Sequence, residues 1–263
     1  MNAIRTIFLY QLRDLARSKW LAAYGLFFFI ASEGLLRYGG GDVRAMVSLS
    51  TIVLFVVPLV TAVYGTVYLY NSREFTELLL AQPVRRGQLY AGLYSGITLA
   101  LSLGAIAGIA VPFIVHRAVL DASVRAMLLT LLGATAALTF VFTGLALLIA
   151  IRCEDRMRGL GAAIAIWLAL ALVYDGLVLV AVATFGDYPL ERAMLGAMLL
   201  NPVDLARTLL LMQLDSSALM GYTGAVFQRF FAGTGAVIAA VALTVWIAIP
   251  ALAGARAFRR KDF

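Results

Sequence analysis

The chain has 263 residues, 63% of them hydrophobic and 13% charged, with a formal net charge of +7. Soluble domains carry about a quarter charged residues, so the apolar excess excludes an ordinary globular domain and a disordered chain and points to lipid. One cysteine, Cys153, and one histidine, His116, leave no internal disulfide and no multi-histidine metal cage, and they fall in different inter-helix segments, which suggests no Cys/His catalytic pair.

Residues 2–19 place Ile4, Ile7, Phe8, Leu12 and Leu15 at helical spacing, with Arg5, Arg13, Asp14 and Arg17 mostly opposite. That pattern predicts an interfacial helix lying along the membrane. Six apolar runs follow, at about 20–36, 47–70, 89–115, 126–151, 160–185 and 233–255. Each is long enough to span a bilayer as a helix, so the expected fold is an all-α integral membrane protein, one domain over 1–263. Neither lysine, Lys19 or Lys261, follows a glycine in a G-K-[ST] phosphate loop, and the chain contains no H-E-x-x-H, so it is read as a non-enzyme without a cofactor or metal of its own.

Basic residues alternate in density between the segments. Arg5, Arg13, Arg17, Lys19, Arg73, Arg85, Arg86, Arg152, Arg156, Arg158, Arg256, Arg259, Arg260 and Lys261 fall on one side, against Arg37, Arg44, Arg117, Arg125, Arg192, Arg207 and Arg229 on the other. By the positive-inside rule the richer side, with both termini, is cytoplasmic, and nucleic-acid binding is not needed to explain the charge.

Between the second and third runs lies Arg73-Glu-Phe-Thr-Glu-Leu-Leu-Leu-Ala-Gln-Pro-Val-Arg-Arg86. Ser72 can cap a short helix with Glu74 in its first turn, Pro83 can stop it, and Arg85 and Arg86 sit where the chain re-enters the membrane. Phe75, Leu78 and Leu79 make it amphipathic: either a plug for a groove in a partner or a turn resting on lipid headgroups.

The third run carries Gly92, Gly96, Ala100, Gly104 and Gly108 at four-residue spacing, which lets another helix approach closely, from this chain or a second copy. Pro58 and Pro112 would kink or end their helices. Arg152-Cys-Glu-Asp-Arg-Met-Arg158 is a solvated turn or a secondary partner contact, with Cys153 an incidental thiol. Asp175 is the one acid deep in a run, either on a permeation or conformational pathway or hydrogen-bonded to a tyrosine or hydroxyl of a neighbouring span. Glu33 can pair with Arg37 at i,i+4.

The outer segment 186–232 is long enough to be functional. Pro189 and Pro202 can each open a helix, Asn201 can cap the second, and Asp204 lies in its first turn. Leu205, Leu209 and Met212 share a face, Arg207 can be exposed, and Asp215 follows; the segment reads as a docking platform or a self-packed lid. Met194, Met198, Met212 and Met220 also lie here. Met194 and Met198, one turn apart, offer thioethers suited to Cu(I) or simply apolar filling.

The run Glu74–Arg86 between the second and third of six spans resembles the coupling-helix segment of ABC-2 type transporter permeases, although Arg86 and no hydroxyl before Arg85 depart from the usual P-V-S/T-R. That resemblance implies a separate cytoplasmic ATPase carrying ATP and Mg and engaging Arg73, Glu74, Phe75, Glu77, Leu78, Leu79, Pro83, Arg85 and Arg86. The stretch Asn201-Pro-Val-Asp-Leu-Ala-Arg207, with Gln213-Leu-Asp215 and Ala218–Val226, resembles the permeases of the NosDFY systems that serve copper-site assembly in nitrous oxide reductase. For those, the implied partners are a NosF-like ATPase, a second copy of the permease in a homodimer in the inner membrane, and a periplasmic NosD-like protein docked near Asn201, Pro202, Asp204, Leu205, Arg207 and Asp215. A lipid, drug or polysaccharide exporter, or a non-transporting membrane anchor, are the alternatives.

Overall fold

A computed structural model describes residues 17–80, 85–116, 119, 121–185, 191–213 and 236–261, without the side chains of Glu77, residues 191–193, Gln213 and Ala236. The interfacial helix expected over 2–19, Pro83, Pro189, Asp215, Met220 and the stretch 218–226 therefore lie outside, or almost outside, the described residues. Among the described residues the fold is all helix. Six helices are long and apolar enough to cross a membrane: α1 Lys19–Tyr38, α2 Asp42–Asn71, α4 Arg86–Val115, α5 Ala122–Arg152, α6 Arg156–Phe185 and α9 Ala236–Arg260. Three shorter ones complete it, α3 Arg73–Leu80, α7 Glu191–Leu199 and α8 Pro202–Gln213.

Helices α5 and α6 begin earlier than their apolar runs because polar caps, not hydropathy, set their starts. Asp121 accepts from the Ser123 N–H at 2.8 Å and starts α5, and Asp155 accepts from the Arg158 N–H at 2.9 Å and starts α6. The Ser123 hydroxyl and N–H hold the Asp121 carboxyl below its ordinary pKa.

Span α5 is at the centre, packed against α2, α4, α9 and α8, while α1, α6 and α9 form the periphery. Val53, Val57, Leu93, Ile97, Leu131, Leu138 and Phe142 are among the side chains filling the space between them. Aromatic donors stitch the spans together through backbone carbonyls: the Tyr94 hydroxyl donates to Phe140 O at 3.0 Å, and Trp167 Nε1 to Phe55 O at 3.2 Å. Pro58 lies inside the continuous α2, and Pro112 three residues before the end of α4.

The glycine stripe of α4 has its partner within the chain. A Cβ on Gly108 would meet the Gly25 carbonyl oxygen and Phe28 Cβ, and one on Gly104 would meet Leu21 Cδ1 at 3.0 Å. Gly25 of α1, absent from the sequence motif, answers the stripe: its own Cβ would meet Gly104 O at 3.1 Å. Gly92 and Gly96 are buried farther along the same helix. The far ends of α1 and α4 are joined by Glu33, which accepts from Arg37 Nε at 2.6 Å, as the i,i+4 spacing suggests, and also pairs with His116 Nε2 at 3.0 Å.

The part of the outer segment that the structure describes, residues 191–213, packs into the bundle. Helices α7 and α8 form a re-entrant hairpin whose tip reaches mid-depth, since Asn201 Nδ2 donates to Leu170 O at 2.8 Å and Trp246 Nε1 to Leu199 O at 3.1 Å, both near the middle of their spans. Inside a membrane, non-helical backbone survives only when buried in protein with its polar groups satisfied. The last carbonyls of α7 are met in this way, by Trp246 and by the Tyr174 hydroxyl on Ala197 O at 2.6 Å. Asn201 Oδ1 accepts from Val203 N–H at 3.0 Å, so Asn201, Pro202 and Asp204 start α8 as their order predicts.

Candidate functional site

Two assemblies of polar side chains are built on this frame, one at the basic end and one in the membrane. At the basic end, α3 follows α2 after a single residue, Ser72, whose carbonyl accepts from both the N–H and the hydroxyl of Thr76. Thr76 is buried and Leu79 and Leu80 pack on the bundle, so the outer face presents Glu74, Phe75 and Leu78, while the exposed Arg73 stands on the Thr76 side near Lys261. Leu78 is 68% exposed on an eight-residue helix, an unusual place for a leucine without a partner or lipid.

The ground under α3 is rigidly tied. The Tyr70 hydroxyl donates to Cys153 O at 2.8 Å and Asp155 O at 3.2 Å, and it sits against Gly159, where a Cβ would have no room. Lys261 Nζ donates to Ile151 O at 2.7 Å; burial and the nearby Arg73 hold its ammonium below its ordinary pKa. Arg86 is committed to structure: its guanidinium donates to Arg259 O at 3.2 Å and Lys261 O at 2.7 Å, capping the end of α9. Of the three arginines expected to meet a partner, Arg73 and Arg85 are exposed, while Arg86 is half-buried on the α9 carbonyls. Replacing Tyr70 with phenylalanine should cost about 1 kcal/mol in detergent unfolding, since two carbonyls lose one shared donor.

In the membrane, Arg207 of α8 lies between two carboxylates, donating to Asp175 Oδ2 at 2.6 Å and Asp204 Oδ1 at 2.9 Å. Asp175 is thus paired with an arginine rather than with a tyrosine or hydroxyl. Arg207, expected at the surface, is drawn down by that charge, since an unpaired acid at this depth is costly. The local helix geometry makes room: α6 takes a π turn over Ala169–Val173, just before Tyr174 and Asp175, and the Leu170 carbonyl is offered to Asn201. Nothing in the apolar run announces this turn.

Asn201, Pro202 and Leu205 are buried, with Met198, Leu205, Ala239 and Leu243 forming an apolar cluster behind the ion pair. These residues hold the hairpin to the bundle and offer no face for docking. Met198 packs in that cluster and Met194 is half-buried. Next to the pair, a cavity of about 320 Å³ between α2, α6 and α8 is lined by Ser50, Thr51, Phe55, Asp175, Val203 and Arg207, among others. It is the polar cavity among the described ones whose lining includes opposite charges.

Comparison with known proteins adds a family. Residues 42–263 match the model of the ABC-2 family transporter proteins. The chain is 29% identical to the probable ABC transporter permease protein NosY of Pseudomonas aeruginosa, over 84% of this chain and 86% of that one. It is 24% identical to the protein of the same description from Stutzerimonas stutzeri, over 99% of each.

Proposed function

This chain belongs to the ABC-2 transporter family as a multi-pass permease subunit, and on that premise we propose that α3 couples it to a separate cytoplasmic ATPase. The observation that carries the proposal is the exposed face Glu74, Phe75 and Leu78, on a short helix that continues from α2 and lies beside the joined ends of α5 and α9. An apolar-centred plug with charges around it suits a groove in a partner. A push on it is delivered to three spans at once, through the Tyr70 and Lys261 hydrogen bonds. The basic end then faces the cytoplasm of the inner membrane, where the positive-inside rule places it with both termini.

The permease relatives support a finer reading: the chain serves copper-site assembly of nitrous oxide reductase, with a NosF-like ATPase, a NosD-like periplasmic protein and a second copy of itself. In this reading the ion-paired hairpin α7–α8 carries motion outward, since it touches α2, α5, α6 and α9. Because Asn201 and Leu205 are buried, the NosD-like protein engages the segment beyond α8, which includes Asp215.

The cavity beside Asp175 and Arg207 supports a second reading, export of a solute. The test is purification of the intact complex in mild detergent. Phe75→Asp combined with Leu78→Asp should release the ATPase and abolish its stimulation while the permease remains inserted; unchanged co-purification and stimulation would refute coupling through α3. In the same preparation an exporter's ATPase rises with its solute, whereas a force transmitter's rises only with the periplasmic partner.

A further inference from the structure

Helices α1 and α2 are joined at one end by only Gly39–Gly41 and diverge toward the basic end, because α1 is drawn onto α4 by Gly25, Gly104 and Gly108. The divergence leaves a cleft of about 390 Å³, lined by Trp20, Ala23, Tyr24 and Phe27 of α1, Val56, Val60 and Tyr64 of α2, and Leu101 of α4. Its surface is almost entirely apolar. The Tyr24 ring is on its wall, while the Tyr24 hydroxyl oxygen is buried away from the cleft. At its mouth Trp20 is 76% exposed, preceded by the exposed Arg17 and Lys19.

We propose that this cleft holds one glycerophospholipid with an anionic headgroup, taken from the leaflet at the basic end. The order of groups along α1 matches that of such a molecule. Arg17 and Lys19 stand at headgroup level, where a cation attracts anionic lipid, and Trp20 has the amphipathic ring that favours the interface. The Tyr24 ring lies one turn deeper on the same wall. Below it, Phe27, Val56, Val60 and Leu101 line an apolar space suited to an acyl chain. The lipid would fill the wedge between α1 and α2 and hold the peripheral α1 at a fixed angle. Water cannot fill it well, since the walls are almost entirely apolar.

The test uses the full chain in vesicles of phosphatidylethanolamine and phosphatidylglycerol in equal parts, with a trace of phosphatidylglycerol bearing a diazirine on one acyl chain. Labelling after photolysis should concentrate on peptides containing residues 20–27 and 56–64. Ala23→Trp, which fills the cleft, should abolish that labelling; Lys19→Gln should reduce it about fivefold for phosphatidylglycerol and leave a phosphatidylcholine probe unaffected. Labelling spread evenly over all lipid-facing spans, or unchanged in Ala23→Trp, would mean boundary lipid only and overturn the proposal. So would a cross-link through Trp20→Cys, in a Cys153→Ser background, to a second copy or to residues 1–16.

Discussion

Arg207→Leu should destabilise the folded chain by about 2.5–3.5 kcal/mol, the range for an uncompensated charge at membrane depth. The reason is the asymmetry of ion pairs in a low-dielectric setting: the pair itself contributes little, but removing one member strands the other. Arg207 serves two carboxylates, so its loss leaves Asp175 and Asp204 facing each other without a cation, with the Asn201 amide on Asp204 at 3.3 Å. Both Arg207 and Asp175 retain over a third of their side-chain surface, and water reaching the adjoining cavity would pull the effect to the low end. The double variant Arg207→Leu with Asp175→Asn should recover much of the loss. Denaturant unfolding in one detergent, across the single and double variants, measures the coupling. A loss below about 0.5 kcal/mol for Arg207→Leu would show the pair to be solvent-screened and of no structural consequence.

Gly108→Val should cost about 3 kcal/mol, at the upper end of what overpacking costs, because the new side chain meets backbone rather than a movable side chain. The Gly25 carbonyl, Phe28 Cβ and the Phe29 nitrogen at 3.1 Å surround the position, so α1 must move as a whole. Gly133→Ala and Gly161→Ala are the controls: their Cβ positions are open, and alanine should stabilise each helix by up to about 1 kcal/mol. Thermal unfolding of the three variants under one condition separates the outcomes. Equal behaviour of Gly108→Val and the controls would mean that α1 does not depend on this contact.

Membrane residence, the six spans, the uneven distribution of basic residues and the short amphipathic helix after the second span could all be read before any coordinates, because each is local. An apolar run of about 20 residues can satisfy its backbone in lipid only as a helix, whatever its neighbours do. A cap such as Asp121 or Asn201 acts within two or three residues of itself. Other features were legible only as halves. The stripe Gly104 and Gly108 promised a close partner, but Gly25 carries no motif of its own and is identified only by its distance from them. Arg86 read as a charge at the membrane re-entry point that engages the ATPase, since the carbonyls it caps lie 173 and 175 residues along the chain.

The outer segment shows the division most clearly. The sequence by itself determined that α8 begins at Pro202 behind an Asn201 cap, with Asp204 in its first turn, and that Asp175 lies in an apolar span and needs a compensating group. Only the tertiary structure decided that the hairpin turns inward and that Arg207 is that group. Helix starts and hydropathy depend on neighbours within one or two turns, whereas the depth of a hairpin depends on which distant groups can satisfy its buried polar atoms. Leu170, Tyr174, Asp175 and Trp246 are scattered over more than one span, and they become one site only when α6 and α9 each pack against the hairpin.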